Sequence, residues 1–209
     1  MGKMLAEHLG YLYFDTGVMY RAVTWVAITR GIDLTIESKL NLLAETVQID
    51  VRPPSKNDGR SYDVLVDDLD ITWEIRKPIV EENVSLVSAY PQVRQALGRQ
   101  QRRIGSRGRV VMVGRDIGTV ILPEADLKIY IDASVEERAL RRYLERKARE
   151  EPADYQDILT AMRNRDLIDS TRKVAPLKPA SDAHIIITDG LTINQVFDMI
   201  LSIMENQDD

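Results

Sequence analysis

The chain contains no cysteine and only two histidines, His8 and His184. The first absence excludes disulfides, thiolate zinc sites and cysteine nucleophiles. The second argues against a histidine-built metal centre, and no metal-ligand set is expected. No apolar run approaches the ~18 residues of a membrane span, and the N-terminus does not read as a signal peptide. A cytoplasmic protein with no membrane partner is therefore expected. Positive charge is not in excess: 28 Lys and Arg against 33 Asp and Glu leave a net charge of −5. That balance argues against a dedicated nucleic-acid binder. What remains is the composition of a globular chain of 209 residues, long enough for one domain or for a core with an insertion.

Patterning divides the chain into two textures. Short, β-rich apolar runs at Tyr11–Asp15, Val110–Val113, Leu127–Ile131 and His184–Thr188 suit buried central strands of a parallel sheet, with His184 packed in its strand. They alternate with helical segments, which implies an α/β fold with helices flanking the sheet. The first residues read as the end of a helix with Gly10 as its C-cap. Further helices are expected at Gly17–Gly31 with Thr16 as N-cap, Ile36–Val47, Pro78–Ala89, Pro91–Arg107, Val135–Glu150, Asp154–Ile168 and Thr192–Asn206. Between Val47 and Ile71 the pattern becomes alternating around the turn-rich KNDGR. This predicts a small antiparallel element with one wet face, inserted in the core.

Four groups of residues carry chemistry. Asp15-Thr16-Gly17 ends a strand, and Arg21 lies about one turn into the next helix; helix N-termini attract phosphate and an arginine can complete such a site. Alternatively Thr16 is only a cap and Arg21 a surface charge. Arg115 and Asp116 follow a dry strand, at the end where open α/β sheets bind ligands. A cation beside an anion there suits a nucleotide, and a structural ion pair is the other reading. Arg138, Arg141 and Arg142 recur at steps of three and four, within reach of a polyphosphate, in a helix otherwise laced with i,i+4 pairs. Arg165, Asp169 and Arg172 share a helical face, suited to gripping an anion or to neutralising themselves at the surface. The basic run Arg99–Arg109 reads as a helix end and turn rather than as a nucleic-acid site.

The segments FDTGVMYRAVT at 14–24, VSLVSAYPQVRQAL at 84–97, VGRDIGTVILPEADLKIYIDAS at 113–134, ERALRR at 137–142 and RNRDLIDSTRKVAPL at 163–177 together resemble the bacterial cytidylate kinases, a family of nucleoside monophosphate kinases. The resemblance runs from about residue 2 to the C-terminus. It implies a P-loop-kinase-type core over 1–35 and 108–209 with a lid around 141–163, and an enlarged monophosphate-binding insert over 36–107. It implies phosphoryl transfer from ATP with Mg²⁺ to CMP or dCMP, in a protein expected to be a monomer. By the same resemblance Thr16, Ser85, Arg94 and Asp116 contact the acceptor nucleotide, with cytosine read by the last three. Arg21 and Arg115 hold its phosphate, and Asp169 and Arg172 lie near the ribose. Arg165 and Arg138, Arg141 and Arg142 approach the transferring phosphates.

Two departures stand out. A P-loop needs G-x-x-x-x-G-K-[ST] between a strand and a helix, and the only Gly-Lys here is Gly2-Lys3, followed by Met4. The first strand and the phosphate cradle are expected to be missing, and turnover to be impaired. A shortened kinase is the preferred reading, over a CMP-binding remnant, a chain completed by a partner, or a kinase for another small nucleotide. Val113 stands where many relatives have aspartate.

Overall fold

The structure is a computed structural model, which describes residues 1–171 and 174–206. The chain forms two compact units, Gly2–Ile117 and, with Met1, Gly118–Asp209.

The first unit contains helices α1 (Gly2–Leu9), α2 (Gly17–Thr29), α3 (Glu37–Thr46), α4 (Pro78–Ala89) and α5 (Pro91–Gly105). Its strands are β1 (Leu12–Asp15), β2 (Ile49–Arg52), β3 (Asp63–Val66), β4 (Leu69–Asp70) and β5 (Val110–Val113). Gly10 takes φ +64°, the left-handed cap expected of it. Both α4 and α5 start on proline, after Lys77 and Tyr90 in extended conformation. Proline's missing N–H costs nothing in a first turn, and its ring pushes the preceding residue out of helical space. The core gathers around α2, whose Met19, Ala22, Val23, Val26 and Ala27 are buried. They share a cluster with Phe14 of β1, Leu40 and Leu43 of α3, Val93, Leu97 and Ile104 of α5, and Ile49, Val51, Val64 and Val66 of β2 and β3. Burying each of the Val, Leu, Ile, Phe and Met side chains among them stabilises the fold by roughly 1.5–3 kcal/mol.

The antiparallel element is present. Strands β2, β3 and β4 form a three-stranded sheet with Ile49 opposite Val66 and Arg52 opposite Asp63. β1 pairs with β5 in parallel, Leu12 opposite Val110 and Asp15 opposite Val113. That register puts the turns after Asp15 and after Val113 at the same end of the sheet.

In the second unit, β6 (Ile129–Asp132) and β7 (His184–Ile187) form another parallel pair. Helices α6 (Val135–Ala148), α7 (Tyr155–Thr171) and α8 (Ile193–Glu205) accompany it. Ser134 caps α6, accepting from the Glu137 N–H, and Thr192 caps α8 in a reciprocal box with Gln195. Ala139 of α6 packs with Ile158 and Leu159 of α7.

Two expectations are corrected. The parallel strands do not form one sheet among the described residues but two pairs, so each strand has one hydrogen-bonded neighbour. Accordingly they are not dry: Val113, Ile131, Ile185 and Ile187 are exposed, and so is His184. Apolar content marks a strand, but it does not reveal how many neighbours that strand has. A π-helical turn at Ile117–Ile121, which no periodicity announced, follows Asp116.

Candidate active site

The shared end of β1 and β5 carries Thr16, Arg115 and Asp116, and Arg94 reaches Asp116 from α5. Thr16 stands at the head of α2 but makes no side-chain cap bond. Its hydroxyl donates instead to the Val113 carbonyl at 3.2 Å, and its N–H to the same oxygen at 3.0 Å. Asp15 does the capping: its Oδ1 accepts from the Gly17 N–H at 2.9 Å. Thr16 thus occupies the N-cap position as expected, but with a helical backbone in place of the usual extended one and without capping through its side chain. Thr16 is instead a rivet between the two strand ends. The rivet is tight, since a Cβ added to Gly114 would lie 2.5 Å from Thr16 Oγ1 and 2.7 Å from Ile117 Cδ1.

Asp116 is buried, 8% exposed, and accepts from Arg94 Nη2 at 2.7 Å. Arg94 comes from α5 and is 9% exposed; its guanidinium carbon lies 5.4 Å from the centre of the Tyr20 ring. Its Nη1 reaches the Ser88 carbonyl at 3.4 Å. Arg94 Nε is buried with no acceptor among the described residues. Buried donors without partners are uncommon in folded proteins, and this one belongs to the candidate base-reading arginine. Arg115 is half-buried beside Asp116.

Arg21, on the second turn of α2, forms an ion pair with Glu81 of α4. Ser85 is exposed one turn further along α4, on the face of Glu81. Near Arg21 and Asp15 lie Tyr13 and Tyr62, ring centres 5.6 Å apart. Burial, with Asp15's carboxylate and Tyr13 adding to it, pushes the Tyr62 phenol up to about 12, and burial with Asp15 raises Tyr13 as well. Both phenols therefore remain neutral donors over the physiological range.

The arginines of the second unit are mostly engaged with carboxylates. Arg138 donates through Nη1 and Nη2 to the two oxygens of Asp166, at 3.0 and 2.5 Å, and through Nε to the Ala133 carbonyl at 3.1 Å. Arg163 pairs with Glu136 at 2.7 Å, a second tie from α7 to α6. Arg141 bonds to Glu137 and to the Thr188 hydroxyl, and Arg142 to Glu145. Arg165 is 69% exposed, 3.8 Å from the carboxylate of buried Asp169. Arg172 lies outside the described residues. In the run Arg99–Arg109, Arg99 pairs with Glu45 and Arg107 with Asp50, while Arg103 donates to the Ile49 carbonyl.

Sequence reasoning missed Asp15 as the cap, Tyr20 beneath Arg94 and Glu81 on Arg21. Tyr20 adjoins Arg21, and Glu81 precedes Ser85 by one helical turn, so spacing was the available signal.

The cytidylate kinase family model matches residues 1–206. The chain belongs to the cytidylate kinase family. It is 50% identical over 204 residues to a cytidylate kinase of Herpetosiphon aurantiacus, covering 98% of this chain and 87% of that protein. Identity to the cytidylate kinase of Chloroflexus aggregans is 50% over 202 residues, 97% and 86% of the two chains. That to the enzyme of Streptococcus pyogenes is 44% over 200 residues, 96% and 87%. Cytidylate kinases are nucleoside monophosphate kinases, and so transferases. The helices flanking parallel strands agree with such a fold, and no helix among the described residues is long and apolar enough to cross a membrane.

Proposed function

We propose that this chain binds CMP or dCMP through its first unit and takes part in phosphoryl transfer to it from ATP–Mg²⁺, with the segment 36–107 as the acceptor-binding insert. The observation that carries the reading is the buried Arg94–Asp116 pair, whose Arg94 Nε lacks an acceptor among the described residues. Cytosine offers an amino donor at N4 beside ring acceptors. A carboxylate suits the first, and a guanidinium N–H suits the second. Uracil replaces the amino donor with a carbonyl oxygen, which Asp116 repels. Ser85 and Thr16 complete the nucleoside contacts, and Arg21 and Arg115 neutralise the acceptor phosphate.

The acceptor phosphate oxygen is already anionic, so the attack needs no strong general base. The work is positioning and charge neutralisation between two polyanions. Arg165, Asp169 and Arg172 of the second unit serve the ribose and transferring phosphates, and Arg138, Arg141 and Arg142 exchange their present carboxylate partners for phosphate when they act. Among the described residues no group of three His, Asp or Glu is placed to hold a metal ion. Carried in with ATP, Mg²⁺ would supply positive charge that offsets the charge of the donor phosphates.

Calorimetry with CMP, dCMP, UMP and AMP tests the reading. CMP is expected to bind at least about tenfold tighter than UMP, within the roughly 1–3 kcal/mol that a good bidentate base contact supplies. Asp116→Asn is expected to erase most of that preference. Equal affinity for CMP and UMP in the unaltered chain would sink the assignment.

A further inference from the structure

The ion pair between Arg21 and Glu81 bridges α2 and α4 across 60 residues of sequence. Arg21 is the half-buried partner, 27% exposed in its side chain, whereas Glu81 is 62% exposed. The carboxylate thus approaches the guanidinium from the solvent side, the side from which a solute anion must also come. Its helix places it one turn before Ser85, a residue assigned above to the acceptor nucleotide. Glu81 therefore stands on the same helical face as a nucleoside contact while holding the phosphate contact.

We propose that Glu81 is an intramolecular competitor of the acceptor phosphate for the Arg21 guanidinium. This rests on the reading of Arg21 as a phosphate ligand. A carboxylate and a phosphate both suit a guanidinium's bidentate fork, and two anions on one cation repel each other. Binding a nucleoside monophosphate then requires Glu81 to yield Arg21, and part of the phosphate's interaction offsets the pair it breaks. Glu81 keeps the arginine aimed across the α2–α4 gap and subtracts from affinity for phosphorylated ligands. It does not touch the affinity for the unphosphorylated nucleoside, which never contests Arg21. Glu81 is in this sense a positioning residue that sets how strongly the site distinguishes nucleotide from nucleoside.

Exposed pairs contribute up to about 1 kcal/mol, so releasing the competition tightens binding by up to about fivefold. Calorimetry on the 209-residue chain compares CMP with cytidine. Glu81→Gln, which keeps size and removes charge, is expected to tighten CMP about two- to fivefold and to leave cytidine unchanged. Glu81→Asp is expected to restore unaltered affinities. CMP affinity unchanged or weakened in Glu81→Gln overturns the proposal; should that variant not fold, Glu81→Ala takes its place with the same expected gain and the same overturning result. Arg21→Ala separates the two readings. If it leaves CMP affinity intact, the phosphate role of Arg21 fails. If it weakens CMP at least tenfold, that role stands and the Glu81→Gln result bears on Glu81 alone. In the Arg21→Ala background the gain from Glu81→Gln is expected to vanish. Its persistence would show a bulk charge effect and overturn the competition.

Discussion

At the residue scale, the acceptor end of the first unit is organised by contacts that permit little substitution. Arg94 and Asp116 are both buried, and desolvating such a pair costs about as much as the attraction returns. Its net contribution to stability is therefore small, which favours a binding role over a structural one. Gly114 shows the same tightness in space. It lies between Val113, whose carbonyl accepts from Thr16, and Arg115, and any side chain there meets Thr16 Oγ1 at 2.5 Å. Thr16 is 5% exposed and cannot swing away without losing its bond to β5. Gly114→Ala is expected to cost about 1–3 kcal/mol, the usual penalty of overpacking, and to weaken CMP binding by moving Thr16. Chemical denaturation and calorimetry check both. A variant as stable as the unaltered chain with full CMP affinity would show that the turn relaxes freely.

At the scale of elements, the antiparallel sheet depends on one buried cation. Arg60, 7% exposed, donates through Nη1 to Asp63 and Asp70 and through Nη2 to Asp58, each at 2.8 Å. These bonds tie the loop before β3 to the first residue of β3 and the last residue of β4. Hydrogen bonds from Arg60 hold the Asp58 and Asp70 carboxyls well below the usual carboxylate range. A folded-state pKa below the unfolded value of about 3.9 contributes stability that is complete above that value. It is lost progressively as pH falls through the folded-state value. Thermal unfolding of the unaltered chain is therefore expected to move to lower temperature as pH drops below about 4. Arg60→Met is expected to lower Tm at neutral pH and to flatten that acid dependence. Parallel Tm–pH curves for the two proteins would remove Arg60 from the account. Several of these elements were legible in the sequence. Pro78 and Pro91 announce two helix starts, and the alternation of VQIDV and YDVLV announces the wet-faced sheet. The Arg60 hub was not legible, because its partners at 58, 63 and 70 meet only once the hairpin closes. The role of Thr16 was hidden for a related reason: its hydroxyl partner is 97 residues away, whereas a cap is read from local spacing.

At the scale of the whole molecule, the residues proposed to meet the two nucleotides fall into two groups. Thr16, Arg21, Ser85, Arg94, Arg115 and Asp116 lie within Gly2–Ile117, and the arginines at 138–142, Arg165 and Asp169 within the other unit. The break after Ile117 falls at a π-helical turn that no pattern signalled. The division bears on what the 209 residues can do. A phosphate cradle presents successive backbone N–H groups to the donor and a lysine to its outer phosphates. The one Gly-Lys, Gly2-Lys3, begins α1, and Lys3 pairs with Glu7 along that helix at 3.7 Å. Acceptor recognition does not draw on such a cradle, whereas neutralising the donor does. The 209-residue polypeptide is therefore expected to bind CMP with no ATP present. Calorimetry with CMP alone measures this. Absence of CMP binding in a folded preparation without ATP would show that acceptor recognition is not a property of the first unit.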